Sequence, residues 1–129
     1  MVYSAGIDIV EIERIRAAIE RFGRRFTDRV FTMEEVDYCT GRKNSAQHFA
    51  ARFAAKEAVY KSLRVRKIAG VRWQDVTVII DEDGIPAVRL HGALARLQQQ
   101  KGISRIAISL THSDKFSAAV AIATMTDTE

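Results

Sequence analysis

A chain of 129 residues that is 47% hydrophobic and 28% charged has the size and composition of one folded domain, taken as residues 1–129, which excludes both intrinsic disorder and a fibrous repeat. Its formal net charge of +4 favours an anionic partner: nucleic acid, acidic protein, phosphate cofactor or membrane surface. The only cysteine, Cys39, allows neither an internal disulfide nor a cysteine metal cluster and fits a reducing cytoplasm; no export signal is expected at the amino terminus, and no apolar stretch reaches bilayer-spanning length.

Val2 to Val10 is apolar and β-branched, with a period of two that separates Ile7 and Ile9 from Gly6, Asp8 and Val10, and this predicts a strand. From Glu11 the period lengthens. Ile12, Ile15, Ile19 and Phe22 form a helical stripe that Gly23 ends, and the other side carries Arg14, Arg21 and Arg25 at helical spacing, flanked by Arg16 and Arg24. Thr32 followed by Glu35 has the form of a capping box and predicts a short helix through Cys39. After the polar connection Gly41 to Ser45, an alanine-rich helix is predicted from about Ala46 to Leu63, the longest in the chain.

Trp73 to Ile80 reads as a strand, Asp81 to Gly84 as a turn and Ile85 to Leu90 as its hairpin partner. Ala93, Leu94 and Leu97 indicate a short helix ending near Gly102. Arg105 to Leu110 and Phe116 to Thr124 then form a second strand pair around a turn that contains Thr111 to Lys115, and Thr126 to Glu129 is expected to fray. Hairpin-connected strands with helices clustered after the first strand predict an α+β fold, a mainly antiparallel sheet with the long helix packed on it.

Chemistry concentrates in Arg52-Phe53-Ala54-Ala55-Lys56-Glu57-Ala58-Val59-Tyr60-Lys61. Helical spacing puts Phe53, Glu57, Tyr60 and Lys61 on one stripe with Arg52 and Lys56 along a basic edge, which reads as the wall of an anion site. The plainer alternative is a surface Glu57–Lys61 pair worth about 0.2–0.5 kcal/mol. Asp8 is the second anomaly, because an ionised carboxylate among apolar strand residues costs several kcal/mol unless a cation or strong donors meet it. An outward position at a strand edge or a structural pairing with an arginine would satisfy it. So would a Mg²⁺ ion shared with Glu57, with Arg52, Lys56 and Lys61 neutralising substrate phosphate. No glycine-rich nucleotide-binding loop of the usual kinds is present.

The segments Gly6-Ile7-Asp8-Ile9-Val10-Glu11 with Arg14, Arg52 to Ala58 with Lys61, and Ile108-Ser109-Leu110-Thr111-His112-Ser113 resemble the holo-acyl-carrier-protein synthase family of 4′-phosphopantetheinyl transferases. The resemblance runs over nearly the whole chain, through Asp75-Val76-Thr77-Val78, Gly84-Ile85-Pro86 and Leu90-His91-Gly92. It implies a homotrimer in which Asp8 and Glu57 hold Mg²⁺ against the diphosphate of coenzyme A. The 4′-phosphopantetheine arm then passes to a serine of apo-acyl carrier protein, adenosine 3′,5′-bisphosphate leaves, and the product serves fatty acid biosynthesis. Asp8, Glu57 and Lys61 become the catalytic set, with Glu57 also a candidate acceptor of the serine proton, directly or through water.

The resemblance further implies that Lys61 contacts coenzyme phosphates and that Ser109, Thr111 and His112 approach the coenzyme from another protomer. Arg52 joins them on its charge, and Lys43 with Arg42 are candidates for the 3′-phosphate. Carrier proteins are acidic, so Arg14, Arg21, Arg24 and Arg25 are expected to dock the carrier. One departure stands out: after Lys61 the family usually has a glycine-rich turn, whereas this chain reads Ser62-Leu63-Arg64-Val65-Arg66-Lys67, where either Arg64, Arg66 and Lys67 replace backbone phosphate contacts with charge or the turn simply differs in shape. Two other readings remain, a non-catalytic relative that binds coenzyme A or carrier, and a basic nucleic-acid-binding module. The second finds no nucleic-acid motif and leaves Asp8 and Glu57 unexplained.

Overall fold

The amino-terminal strand β1 (Val2–Glu11) runs straight into helix α1 (Ile12–Phe22), and Gly23, at φ 57°, ends α1 and starts α2 (Arg24–Val30). The computed structural model describes residues 1–65 and 70–126. Helix α3 (Met33–Thr40) follows the capping box read from the sequence: Glu35 N donates to Thr32 Oγ1 at 3.3 Å and Thr32 N donates to Glu35 Oε1 at 2.8 Å. The long helix α4 (Ser45–Ser62) leads to the hairpin β2 (Val76–Ile80) and β3 (Pro86–Leu90), then α5 (Gly92–Lys101), β4 (Ile103–His112) and β5 (Phe116–Met125). The architecture is α+β with antiparallel pairing throughout the described strands, in a three-stranded sheet ordered β1-β5-β4 and a two-stranded sheet β2-β3.

Helix α4 lies across β1 and β5, and the fit is made by small residues. Ala54, Ala55 and Ala58 of the helix are fully buried, as are Ala121 and Ala123 of β5, so the helix backbone can come close to the sheet. The closest approach is at Gly6, where a Cβ would stand 2.0 Å from Ala58 O and 2.7 Å from Ser62 N. Only glycine fits there. The period-two pattern of β1 is thereby resolved: Gly6, Asp8 and Val10 face α4, while Ile7 and Ile9 face away and are 69% and 64% exposed.

A second tie is electrostatic. Lys56 and Glu35 are fully buried and paired at 2.7 Å; Lys56 Nζ also donates to Trp73 O at 3.1 Å and to Val76 O, and Glu35 Oε2 accepts from Val78 N at 2.8 Å. Burial pushes the Lys56 pKa down and Glu35 opposes that shift. The pair thus joins α3, α4 and β2. Cys39 is buried as well, which raises its thiol to about 11 and keeps it unreactive.

Several sequence expectations are corrected. Lys56 is a buried structural cation rather than part of an exposed basic edge. Trp73 to Asp75 forms a 3₁₀ turn, so the strand begins only at Val76; Asp75 inside that turn is buried and accepts Arg72 N at 3.1 Å. Phe22 is 45% exposed beneath the Arg21 guanidinium rather than in the core. His112 ends β4 instead of lying in the turn, which is closed by Ser113 Oγ accepting from Lys115 N and Phe116 N. Helix α2 interrupts the arginine face at Gly23, so Arg24 and Arg25 do not continue the α1 spacing. Arg66, Lys67 and residues 127–129 of the end expected to fray lie outside the described residues.

Gly6→Ala is expected to cost roughly 3 kcal/mol or more, because the new Cβ meets backbone that cannot move without lifting α4. A thermal melt matching that of the parent chain would remove the close approach as a constraint. Glu35→Gln and Lys56→Met are each expected to cost about 3–5 kcal/mol by leaving a buried polar partner unmet, with the double variant costing clearly less than the sum. Urea titrations of the four chains measure this, and strictly additive costs would show that the two groups are uncoupled.

Candidate active site

Gly6 sets α4 so that its last turns overhang β1. Lys61 Nζ reaches down to donate to Ile7 O at 2.9 Å and to Asp8 Oδ1 at 3.2 Å, supplying the cation that Asp8 requires. Lys61 therefore pairs with Asp8 rather than with Glu57, although Glu57 is its neighbour one turn earlier on the helix. Among the described residues the Glu57 carboxylate has no hydrogen bond and no ion pair. Partial burial raises its pKa, the charge of Asp8 raises it further, and Lys61 offsets only part of the effect.

Asp8 and Glu57 line a cavity of about 320 Å³ with Arg14 of α1 at its rim and Ile15, Ala18, Phe26 and Phe53 as apolar wall. Two carboxylates so placed repel each other when both are ionised, and Asp8 and Glu57 could hold a divalent cation, which would relieve that repulsion. The stripe above them is held from outside. Phe53 stacks on Trp73 with centroids 5.1 Å apart, Tyr60 meets the same ring edge-on at 5.5 Å, and Tyr60 Oη donates to Arg72 O at 2.6 Å.

A second group gathers on another side of α4. Arg52 lines a cavity of about 260 Å³ with Tyr38, His48, Thr111 and His112, closed by Ile80, Pro86 and Leu110. Arg52 is only 3% exposed; one guanidinium nitrogen donates to His48 O at 3.2 Å, the group lies over Tyr38 at 4.3 Å, and its buried Nε has no hydrogen-bond partner among the described residues. Arg42 lies over the same ring at 3.9 Å. No carboxylate lines this cavity among the described residues, so its field is cationic.

The two groups are separated within one chain. Arg52 and Glu57 are five residues apart on α4, roughly 7.5 Å along the axis and about 140° around it. Asp8 is on one edge strand and His112 on the other, with Asp8, Ala119 and Leu110 in one cross-strand row that spans about 10 Å. Lys43, in the exposed turn before α4, and Ser109, exposed on β4, line neither cavity. Of the expected docking arginines, Arg14 and Arg21 share one face of α1, Arg25 is exposed on α2, and Arg24 pairs with Asp28 at 3.3 Å.

Sequence reasoning missed His48 and Tyr38. His48 carried a usable signal, since it precedes Arg52 by one helical turn; Tyr38 carried none without knowledge of how α3 crosses α4. Arg64 of the departing turn takes the left-handed conformation, φ 56°, that glycine usually fills, and its guanidinium lies over Tyr3 at 4.9 Å.

The family model for the 4′-phosphopantetheinyl transferase superfamily matches residues 4–122. The chain is 40% identical to the holo-[acyl-carrier-protein] synthase of Koribacter versatilis, over 95% of this chain and 98% of that protein, and 42% identical to that of Protochlamydia amoebophila over the same shares. Among solved structures it superposes on holo-[acyl-carrier-protein] synthase from Neisseria meningitidis with a TM-score of 0.88 at 30% identity, covering 96% of this chain and 99% of that one. The Helicobacter pylori enzyme, solved in complex with coenzyme A, gives a TM-score of 0.81 at 27% identity, covering 93% and 99%. With carboxylates on β1 and α4 and relatives matched end to end, the chain belongs to the 4′-phosphopantetheinyl transferase superfamily, among the holo-[acyl-carrier-protein] synthases.

Proposed function

We propose that this protein, one domain over residues 1–129, transfers the 4′-phosphopantetheine arm of coenzyme A to a serine of apo-acyl carrier protein and releases adenosine 3′,5′-bisphosphate, in the cytoplasm and in service of fatty acid biosynthesis. The observation that carries this reading is the pair Asp8 and Glu57: one carboxylate tied to Lys61, the other with no hydrogen bond or ion pair among the described residues and with its pKa raised by burial and by the first. That donor set fits Mg²⁺, which takes carboxylate oxygens together with substrate phosphate. When bound, the ion would neutralise charge on the diphosphate of coenzyme A.

Within this scheme Lys61 balances Asp8 and presents the rest of its ammonium to a phosphate oxygen. Glu57 faces the cavity where a serine hydroxyl would enter and accepts its proton as the oxygen attacks the β-phosphorus; the bond to the adenosine bisphosphate oxygen breaks, and that leaving group departs as an anion. Arg52, Thr111 and His112 surround the acid-free cavity suited to the 3′-phosphate, which no metal would neutralise. Lys43 and Ser109 contribute from the rim once a neighbouring protomer is in place. The outward rows Ala5, Ile7 and Ile9 of β1 and Ala118, Val120 and Ile122 of β5 support self-association through this apolar sheet face, and the family resemblance makes the assembly a homotrimer.

Arg14 and Arg21 on one face of α1, with Arg24 and Arg25 of α2 beside them, dock the acidic carrier, and Arg14 at the cavity rim places the carrier serine next to Glu57. No described helix is long and apolar enough to cross a membrane.

Incubated with Mg²⁺, coenzyme A and an apo-carrier, the protein is expected to add phosphopantetheine to the carrier by mass spectrometry, and a chelator is expected to stop it. An unchanged carrier mass would leave a non-catalytic binding relative. Glu57→Gln should lower turnover by roughly 10²-fold or more. Because Glu57 must be ionised and its pKa lies above the ordinary 4.5, activity should fall on acidification before an ordinary carboxylate titrates and be partly restored by added Mg²⁺. Full turnover by the Gln variant would end both roles of Glu57. Arg14→Glu with Arg21→Glu should raise KM for carrier at least ten times more than KM for coenzyme A, by loss of charge complementarity; equal effects on both would count against docking.

A further inference from the structure

His48 stands one turn before Arg52 on α4 and lines the same cavity as Thr111 and His112. Its half-buried ring meets Tyr38 edge-on, centroids 6.0 Å apart, and among the described residues its ring nitrogens have no hydrogen bond. The groups that face it come from every neighbouring element: Arg52 from its own helix, Arg42 from the α3–α4 turn, Tyr38 from α3 and His112 from β4, while the β2–β3 hairpin brings only Ile80 and Pro86. Every charged neighbour is a cation. An imidazole in that setting stays neutral in the empty cavity, because burial first and the two guanidiniums next push its pKa below the usual 6.5.

A phosphomonoester reverses the local field. It brings close to two negative charges at neutral pH and acceptor oxygens within a cavity that has no acid to compete. We infer that His48 is a ligand of the phosphoryl group that enters this cavity and that its imidazole takes up a proton from solvent as the group binds. The inference rests on the reading of the cavity as the site of the 3′-phosphate of coenzyme A. Coenzyme binding is then coupled to proton uptake at a residue remote from the transfer chemistry, and affinity tightens as pH falls toward 6.5.

Calorimetric titration of the assembled protein with coenzyme A and with 3′-dephospho-coenzyme A, each in Mg²⁺ and in buffers of different ionisation enthalpy, separates the possibilities. At pH 7 the parent chain should take up roughly half to one proton per coenzyme A and none with the dephospho compound, and its affinity for coenzyme A should drop roughly five- to ten-fold between pH 6.5 and 8. The phosphate itself, with a second pKa of about 6, can only release a proton on entering a cationic site and so cannot mimic uptake. His48→Gln and His48→Phe, the latter keeping the ring against Tyr38, should abolish the uptake and flatten the pH dependence while leaving dephospho-coenzyme A affinity unchanged.

Undiminished uptake in both His48 variants, or uptake lost with His112→Gln but kept in His48→Phe, would overturn the role of His48 alone. Equal affinity of the parent chain for the two coenzymes would overturn the phosphate reading of the cavity and this inference with it.

Discussion

The structure depends on one missing side chain. Without a Cβ at Gly6, the backbone of α4 rests on β1, with Ala58 O occupying the space where any other residue would put its first carbon. That contact sets the height of the helix over the sheet, and the height decides which groups can meet. Lys61 reaches Ile7 O and Asp8 because its stem starts close to the strand, and Glu57, one turn earlier, comes within the field of Asp8 for the same reason. A larger residue would lengthen each of these contacts together. The fold therefore sets the separation of helix and strand, and with it the height of Glu57 over Asp8, by sterics.

Charge does set the rotation of α4 about its axis. Lys56 is buried with Glu35 and two carbonyls, so the face of α4 that carries it must turn toward α3 and β2. Glu57 follows one residue later, roughly 100° around the helix, and so must turn toward the rim of the sheet. The desolvation of two charges makes such a pair a poor source of net stability, but a costly one to misalign. Its value is orientation. Adjacent residues of one motif thus hold opposite places, one a buried anchor and the other a carboxylate facing the cavity it shares with Asp8.

This explains what could be read in the chain and what could not. The strand at β1, the capping box of α3, the extent of α4 and the paired strands followed from local chemistry, since each signal lies within a few residues of the element it marks. Asp8 and Glu57 were legible because ionised groups on apolar backgrounds need a reason. Lys56 was misread as part of a phosphate-facing edge because its partner, Glu35, is 21 residues away and helical spacing alone cannot tell a buried cation from an exposed one. The start of β2 was misplaced because Trp73 has strand propensity, yet its ring is claimed by Phe53 and Tyr60, and the backbone turns to bring it there. Phe22 kept its helical phase but lost its cover, because Gly23 redirects the chain before anything can pack over it.

The division of the site between two cavities has its own logic. On the proposed reading, coenzyme A brings a diphosphate and a separate phosphomonoester, and these would ask for different solutions: carboxylates able to hold a metal for the reacting phosphorus, and cations without carboxylates for the handle. A single cavity could not provide both, because acids that hold the metal would repel the handle, and guanidiniums that hold the handle would compete with the metal for the acids. Placing them on opposite edges of a three-stranded sheet keeps the two fields apart by about 10 Å within one chain. The same arrangement leaves one cavity at each edge and an apolar sheet face between them. In the proposed assembly, a second copy over that face would bring the β4 edge of one chain beside the β1 edge of the next, so that burial of Ile7 and Ile9 and completion of the coenzyme site would be one event rather than two.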